Sequence, residues 1–497
     1  MSAAAGRTGT AGLVPGFVAS VRFTDLLANG QAVGRINGLV VFVHGPLPGE
    51  RAQVRIAQVK PKYAVGDVVT YESQSSMRAK PFCPVFGICG GCQVQHLDYP
   101  AQLAWKEQIV RNALRRIGGF NDVDVRRPVG MTHPRNYRNK MALVVENTDG
   151  ETIFGFYQAR SHALVRIDGC PVVLPQLDAA IGGLYDAARA PETRGAFTGA
   201  KHAIVRAGAA SGQAVLSITT ERQSPELKER APAIARRVRG VVGVSNSFEP
   251  RTANAVLGRR MLYVWGKREM EETIEGVRYR VSPASFFQVN SEMVGRIFRF
   301  LAPGIAPDRA IVDLYCGAGT FAIFFAARGA RVVGVEENPA AVREARENAA
   351  LNAVDERVHF VEGRVEGAVA DPQGKKALAD AQIVFLDPPR KGSDEATLDA
   401  IALAGVPNVW YLSCNPATLA RDLAYLAKRG YALGVVQPFD MFPQTGHVET
   451  LATLYRQGSG VEVTLPEREA TPWDDRIPAW PSDEPFGKSE YPDFVER

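Results

Sequence analysis

Four hundred and ninety-seven residues are too many for one hydrophobic core, so several domains are expected. With 46% hydrophobic and 22% charged residues, the chain is globular and wholesale disorder is excluded. No run of about 18 apolar residues offers a spanning helix, and Pro15 and Gly16 interrupt the N-terminal apolar stretch that a signal would need. The chain reads as a cytoplasmic monomer with no membrane attachment. Its net charge of +5 divides unevenly: residues 458–497 hold ten acids against four bases, a net −6, which leaves +11 on the rest. A basic body with an acidic tail suits a polyanionic ligand from which the tail stands off.

Residues 1–12 are rich in Gly, Ala and Thr and read as disordered. Over 13–72, short strand-like runs (Phe17–Arg22, Leu39–Val43, Ala52–Ala57, Asp67–Tyr71) alternate with glycine-bearing turns, the signature of a small β-barrel. Residues 73–118 hold a cysteine- and glycine-rich loop without periodicity. An amphipathic helix follows over Ala101–Ile117, with Leu103, Ile109, Val110, Leu114 and Ile117 facing inward. From 119 to 280, strands such as Met141–Val145, Ala163–Ile167 and Ala214–Thr219 mix with helices near 176–188 and 225–238, a central α/β domain. From 281 to 457 the rhythm becomes strand–helix: Ala310–Leu314, Arg331–Val335, Val358–Val361, Gln382–Leu386 and Val409–Ser413, with helices at 339–352 and 416–428. That predicts a parallel, doubly wound, Rossmann-like sheet. The last segment, 458–497, has six prolines and too few aliphatics to fold alone.

The run Asp313-Leu-Tyr-Cys-Gly317-Ala-Gly319-Thr320 closes the first of these strands and opens a helix, and its glycines let a ligand approach the backbone. Glu336, twenty-one residues beyond Tyr315 and just after the second strand, is placed to accept from the two ribose hydroxyls of an adenosine ligand. The third glycine of the dinucleotide fingerprint is missing, with Phe321 and Ala322 in that region. A cofactor without a pyrophosphate is therefore favoured, and S-adenosylmethionine fits.

Asp387-Pro-Pro-Arg390 and Ser413-Cys-Asn-Pro416 close the fourth and fifth strands, so Asp313, Glu336, Asp387 and Cys414 face one crevice at the carboxyl edge of the sheet. If the final strand, Thr450–Arg456, runs antiparallel, Glu449 points into the same crevice. A cysteine on a loop opening a helix is expected to have a lowered thiol pKa, and a neighbouring carboxylate serves as a general base. Cys414 and Glu449 thus form a nucleophile–base pair, while His447 is read as a structural hydrogen-bonding residue.

In these motifs the chain resembles the uracil-C5 RNA methyltransferase family. The likeness spans roughly 13–457 and includes Phe286-Phe-Gln-Val-Asn290, the glycine loop, Glu336, Asp387-Pro-Pro-Arg, Ser413-Cys-Asn-Pro-Ala-Thr-Leu-Ala-Arg-Asp422 and His447-Val-Glu449. The resemblance implies that Gln288, Tyr315, Glu336 and Asp387 contact S-adenosylmethionine, that Cys414 is the nucleophile and that Glu449 is the base. A thiolate adding at uracil C6 makes C5 nucleophilic toward the cofactor's methyl, and a base then removes the C5 proton to release the enzyme. The target base must be unpaired or flipped out. A cytosine-C5 enzyme would need a second cysteine in the Asp387 motif. An adenine-N6 enzyme would leave Cys414 and Glu449 idle, and a non-catalytic RNA-binding factor would not turn the cofactor over.

Cys83-x5-Cys89-x2-Cys92 and Cys170 form a four-thiol set suited to zinc or an iron–sulfur cluster. The family resemblance implies a [4Fe–4S] cluster, with zinc second. Residues 13–72 resemble the OB-like TRAM barrel, a module that holds single-stranded RNA on basic and aromatic surface. The expected partner is RNA, 23S rRNA ahead of tRNA, because the barrel and cysteine loop enlarge the RNA-contacting body as in ribosomal RNA enzymes of this family.

Overall fold

A computed structural model describes residues 12–148, 150–252, 255–460, 463 and 465–481. Apart from Gly12, the N-terminal stretch read as disordered lies outside the described residues, as does the end of the tail. Strands β1 (Val18–Leu26), β2 (Gln31–Ile36), β3 (Leu39–His44), β4 (Arg51–Val59) and β5 (Tyr63–Ser73) close a barrel in the order β1-β2-β3-β5-β4. Alternation turns Val21, Phe23, Val41, Val43, Val54 and Ile56 inward. The barrel is so tight that a Cβ on Gly34 would stand 2.3 Å from Val21 Cγ1, which is why a glycine sits inside β2.

The irregular cysteine segment follows, tied to the barrel by the wholly buried Glu50, which accepts from Arg78 Nε at 2.7 Å and from Ser75 N at 3.0 Å. Helix α1 (Tyr99–Ala113) begins at Asp98, whose side chain accepts from Ala101 N. Its Trp105 plugs one end of the barrel and donates its indole N–H to Leu26 O at 2.9 Å. Leu103, Val110 and Leu114 are buried as the amphipathic pattern requires, but Ile117 is 46% exposed. The last turn, Leu114–Gly118, is π-wound and not α-helical, and the wider turn rotates Ile117 off the buried face.

The central sheet contains β6 (Lys140–Thr148), β7 (Glu151–Tyr157), β8 (Leu164–Arg166), β9 (Ala200–Ala207), β10 (Ala214–Thr220), β11 (Val241–Phe248) and β12 (Arg260–Gly266). Its order is β12-β11-β10-β9-β6-β7-β8. Helices α2 (Pro175–Arg189) and α3 (Pro225–Arg237) cover it through Leu177, Ile181, Leu184, Leu227 and Ile234. The hairpin β13 (Met270–Ile274) and β14 (Val277–Val281) alternates buried and exposed along both strands. Its buried face joins the core of the C-terminal sheet, where Tyr279 OH donates to Thr320 O at 2.8 Å.

Helix α4 (Ser291–Leu301) leads into β15 (Ala310–Leu314), α5 (Thr320–Ala327), β16 (Arg331–Glu336), α6 (Pro339–Leu351) and β17 (Val358–Glu362). The short α7 (Val365–Ala368) and α8 (Pro372–Asp380) precede β18 (Ile383–Leu386), α9 (Glu395–Ala404), β19 (Asn408–Ser413), α10 (Pro416–Ala427), β20 (Tyr431–Phe439) and β21 (Glu449–Arg456). The order is β17-β16-β15-β18-β19-β21-β20, with the first five strands parallel and β21 antiparallel to both neighbours. This is the doubly wound sheet expected from the strand–helix rhythm.

Residues 465–481 of the tail do not stand off the body; they run across it as a strap. Leu465 is buried in the C-terminal core, Trp473 Nε1 donates to Met131 O at 2.7 Å, and the Trp480 ring lies 6.5 Å from that of Trp105. Two body arginines are engaged by tail acids: Arg299 Nε by Glu469 at 2.6 Å and Arg126 Nη2 by Glu467 at 3.5 Å. The partners of this irregular segment lie far away in sequence, so it does not have to fold alone. Among the described residues, no helix is long and apolar enough to cross a membrane.

Candidate active site

Because β15 pairs with both β16 and β18, connections leave it in opposite directions and a crevice opens at the carboxyl ends of these strands. The loop leaving β15 is strained to line that crevice. Tyr315 has φ +66°, a region disfavoured for a side chain of its bulk, and its hydroxyl lies 3.0 Å from Ser393 Oγ. Gly317 has φ +56° and nothing within 4 Å of where a Cβ would stand, so the space over its Cα is open. Glu336, at the end of β16, accepts from Gly317 N at 3.1 Å and from Asn338 N at 2.8 Å. Each carboxylate oxygen keeps a further lone pair for a ligand hydroxyl. Beneath them Asp313 is buried, and burial, reinforced by Asp387, holds its carboxyl well above the usual range.

Gln288 Nε2 donates to Asp387 Oδ2 at 3.1 Å, which joins two of the predicted cofactor residues directly. The segment bearing Gln288 is pinned by Asn139, whose Nδ2 donates to Gln288 O at 2.9 Å and whose N donates to Val289 O at 2.8 Å. Asn290 in the same segment caps α4 and donates to Met441 O at 3.0 Å. Burial pushes the Asp387 carboxyl up to about 7, while the Gln288 hydrogen bond pulls it back. An open space over Gly317, an oriented Glu336 and a buried acid–amide pair suit an adenosine cofactor with a cationic centre.

The antiparallel register pairs Ser413 with Thr450, so Cys414 and Glu449 leave adjacent strands side by side. Glu449 is buried, and among the described residues its Oε1 has no hydrogen-bond partner. Burial, then the Asp387 charge, holds its carboxyl well above the usual range. Cys414 requires a correction, because its thiol is not lowered by the helix it precedes. Burial pushes it up to about 12, Glu449 and Asp387 push the same way, and Arg390 pulls it down. Burial outweighs one helix end, and two nearby carboxyls add to it.

Two features of the site escaped the sequence reading. Arg390 Nη2 donates to His447 Nδ1 at 3.1 Å, joining the Asp387 motif to the Glu449 motif, although no spacing rule links them. The loop 440–447 is also held from outside the catalytic unit. Lys106 on α1 is ion-paired with Asp440, both wholly buried, and Tyr137 OH donates to Pro443 O at 3.0 Å. Gln93 N and Val94 N, next to Cys92, both donate to Gln444 O at 3.0 and 3.1 Å. The cysteine loop therefore abuts the loop that delivers Glu449.

The four predicted metal-binding cysteines are free thiols, each half-buried. They lie within electrostatic reach of one another. Burial pushes Cys92 up to about 12, with Cys170, Cys89 and Cys83 adding to the rise, and Cys170 is raised by burial and by Cys83 and Cys89. Gly91 N donates to Cys89 Sγ at 3.4 Å. Among the described residues, no set of three or more His, Cys, Asp or Glu side chains is gathered as a metal-ion site.

A doubly wound sheet with an inserted antiparallel last strand, and a glycine loop and acid over its crevice, defines a methyltransferase fold. A family model described as tRNA (uracil-5-)-methyltransferase matches residues 266–457, and a TRAM domain model matches 15–69. An uncharacterized RNA methyltransferase of Halalkalibacterium halodurans is 36% identical over 445 residues, covering 88% of this chain and 96% of the relative. One from Thermosynechococcus vestitus is 37% identical over 446 residues, covering 88% and 98%. Among solved structures, the tRNA (uracil-54, C5)-methyltransferase of Pyrococcus abyssi, in complex with S-adenosyl-L-homocysteine, matches with a TM-score of 0.67 at 26% identity. That match covers 87% of this chain and all of the other. The chain belongs to the tRNA (uracil-5-)-methyltransferase family of RNA methyltransferases.

Proposed function

We propose that this enzyme methylates C5 of a uridine in RNA, with Cys414 as nucleophile, Glu449 as general base and Gln288, Tyr315, Glu336 and Asp387 as the S-adenosylmethionine contacts. The pairing of Ser413 with Thr450, which sets Cys414 beside Glu449, carries this reading. S-adenosylmethionine, when bound, supplies an electrophilic methyl group on a cationic sulfonium. Glu336 would hold the ribose hydroxyls, and Asp387, oriented by Gln288, would face the positive end. The Cys414 proton must leave before its sulfur adds at C6, and Arg390 favours the anion. Glu449, poorly solvated and raised in pKa, is a strong base for the C5 proton.

Cys83, Cys89, Cys92 and Cys170 are proposed to hold a [4Fe–4S] cluster, with zinc as the second choice. Their mutual repulsion and the Gly91 N–H on Cys89 suit bound thiolates. One zinc ion at about 2.3 Å from each sulfur needs a tighter set than a cubane does.

The proposed substrate is an unpaired uridine of 23S rRNA, in keeping with the basic body, the barrel and the cysteine loop. The T-loop uridine of tRNA is the second reading, favoured by the likeness to the Pyrococcus abyssi tRNA enzyme. Purified protein, labelled cofactor and separated RNA from a deletion strain distinguish the two by where the label appears. Glu449→Gln should accumulate a protein–RNA adduct stalled after methylation, seen as a slow band on denaturing gels. Normal turnover without that band would remove Glu449 from its role.

A further inference from the structure

We propose that His447 donates its Nε2–H to the C4 carbonyl oxygen of the target base and thereby selects uracil over cytosine. This rests on the uracil-C5 reading above and adds the group that recognises the base. A guanidinium only donates hydrogen bonds, so Arg390 Nη2, 3.1 Å from His447 Nδ1, makes Nδ1 the acceptor and leaves the ring proton on Nε2. Arg390 is itself fixed from the Cys414 side: its carbonyl accepts from Asn415 Nδ2 at 2.9 Å and from Thr418 Oγ1 at 3.2 Å. The imidazole is steadied by the edge-on Phe442 ring, with centroids 5.9 Å apart, and His447 N donates to Thr445 Oγ1 at 3.3 Å. His447 is exposed two residues before the buried Glu449, and among the described residues its Nε2–H has no partner. A directed donor is thus tied to the strand ends that carry the nucleophile and the base.

The ring also stays neutral. The Arg390 guanidinium on Nδ1 opposes a second ring proton, so Nε2–H donates without adding a charge. The Cys414 thiol first gives its proton to solvent, and the thiolate then forms the S–C6 bond and drives the C5=C6 electron pair toward the C4 oxygen. The Nε2–H hydrogen bond strengthens as that oxygen gains charge, and the proton remains on the imidazole. The pair returns to C5 as C5 bonds the methyl and the methyl–sulfur bond of the cofactor breaks. Glu449 then takes the C5 proton, and the C6–S bond opens. Cytosine carries an amino group at C4, which would set donor against donor.

The test uses His447→Phe, which removes the donor, and His447→Gln, whose Nε2–H reaches a similar point. Transcripts of 23S rRNA and tRNA carrying 5-fluorouridine report covalent addition, because fluorine replaces the C5 proton that Glu449 would remove. Wild-type protein should form an adduct with one of them. His447→Phe should slow adduct formation about 10²–10³-fold, the loss seen when one oxyanion donor is removed, with RNA and cofactor binding within about threefold of wild type. His447→Gln should recover at least about tenfold of that loss, and the uridine-over-cytidine ratio should narrow at least about tenfold in His447→Phe. If the Phe variant does not fold, His447→Ala serves in its place. An unchanged rate or an unchanged ratio in a folded donor-less variant overturns the His447 role alone. No adduct with either transcript in wild-type protein overturns the uracil-C5 reading itself.

Discussion

Gln102 and Gln444 hold each other through two hydrogen bonds: Gln102 Nε2 donates to Gln444 Oε1 at 2.9 Å, and Gln444 N donates to Gln102 Oε1 at 3.0 Å. Both are buried, and Gln444 has φ +70°, a strained conformation for glutamine. One sits on the helix that plugs the N-terminal barrel, and the other lies five residues before the proposed base. Together with the Lys106–Asp440 pair, they make the barrel end of the molecule part of the framework for Glu449.

Lys106→Met leaves Asp440 buried without its cation, which should cost about 3–5 kcal/mol of stability. Tyr99 OH donates to Asp440 Oδ2 at 2.8 Å but carries no charge to replace it. Gln102→Leu should cost less, about 1–3 kcal/mol, from the unsatisfied amide groups of Gln444. Where folded protein persists, the turnover number should fall more than the RNA dissociation constant rises, because the loop carries the base. Denaturant melts and single-turnover kinetics measure both, and an unchanged turnover number would contradict the coupling.

Much of the catalytic sheet is legible in the sequence because its parallel strands are short apolar runs with a polar residue at or near the carboxyl end, such as Asp313, Glu336, Asp387 and Ser413. The direction of the final strand entered the sequence reading only as a condition; the antiparallel pairing of Ser413 with Thr450 meets that condition. β2 is masked by Gly34, which is there because the closed barrel leaves no room for a Cβ. The π turn at Leu114–Gly118 is masked because its residues keep a helical pattern. The sign of the Cys414 shift was beyond the sequence, since it depends first on burial and then on Glu449 and Asp387, two carboxyls brought near it from separate motifs. The Lys106–Asp440 pair spans 334 positions, and no local pattern announces it.

With Cys414 as the proposed nucleophile, its raised thiol predicts that the cofactor's charge takes part in its activation. With a pKa of about 12, very little thiolate is present at pH 8 in the protein alone. A sulfonium placed beside Asp387 and Cys414 favours the anion, while the neutral thioether of S-adenosylhomocysteine occupies the same space without that charge. Iodoacetamide should therefore alkylate Cys414 at pH 8 at least about tenfold faster with S-adenosylmethionine than with S-adenosylhomocysteine, each unit of pKa being tenfold in thiolate. Peptide mass spectrometry separates Cys414 from the other five cysteines. Equal rates with the two ligands would show that the sulfonium does not activate the thiol.

The four-cysteine loop should carry iron. Protein purified without oxygen should be brown, with about four irons and four sulfides per chain. Cys83→Ser should lose the metal and much of the soluble protein, because ligation contributes to folding. The backbone contacts of Gln93 and Val94 with Gln444 extend the effect to the active site, so residual soluble Cys83→Ser should also turn over slowly. One equivalent of zinc and no iron would reverse the assignment to a cluster.

Asp387 sets a pH dependence whose sign follows from burial. Its ordinary value is 3.8, and in the fold it lies near 7 in company with Glu449, so the folded protein binds protons that the unfolded chain gives up. That contribution to stability is complete below about 3.8 and is lost as the pH rises through about 7. Asp387→Asn, which keeps the shape and cannot ionise, should therefore melt higher than wild type at pH 8, and the gap should close toward pH 5. A cation in the crevice reverses the preference, since it stabilises the ionised carboxylate. The affinity for S-adenosylmethionine should rise as pH passes from 6 to 8, whereas that for S-adenosylhomocysteine should change less. In Asp387→Asn the affinity for S-adenosylmethionine should lose this rise. Thermal melts and calorimetric titrations at three pH values check each part. An affinity for S-adenosylmethionine that stays flat from pH 6 to 8 would mean that Asp387 does not face the cofactor's charge.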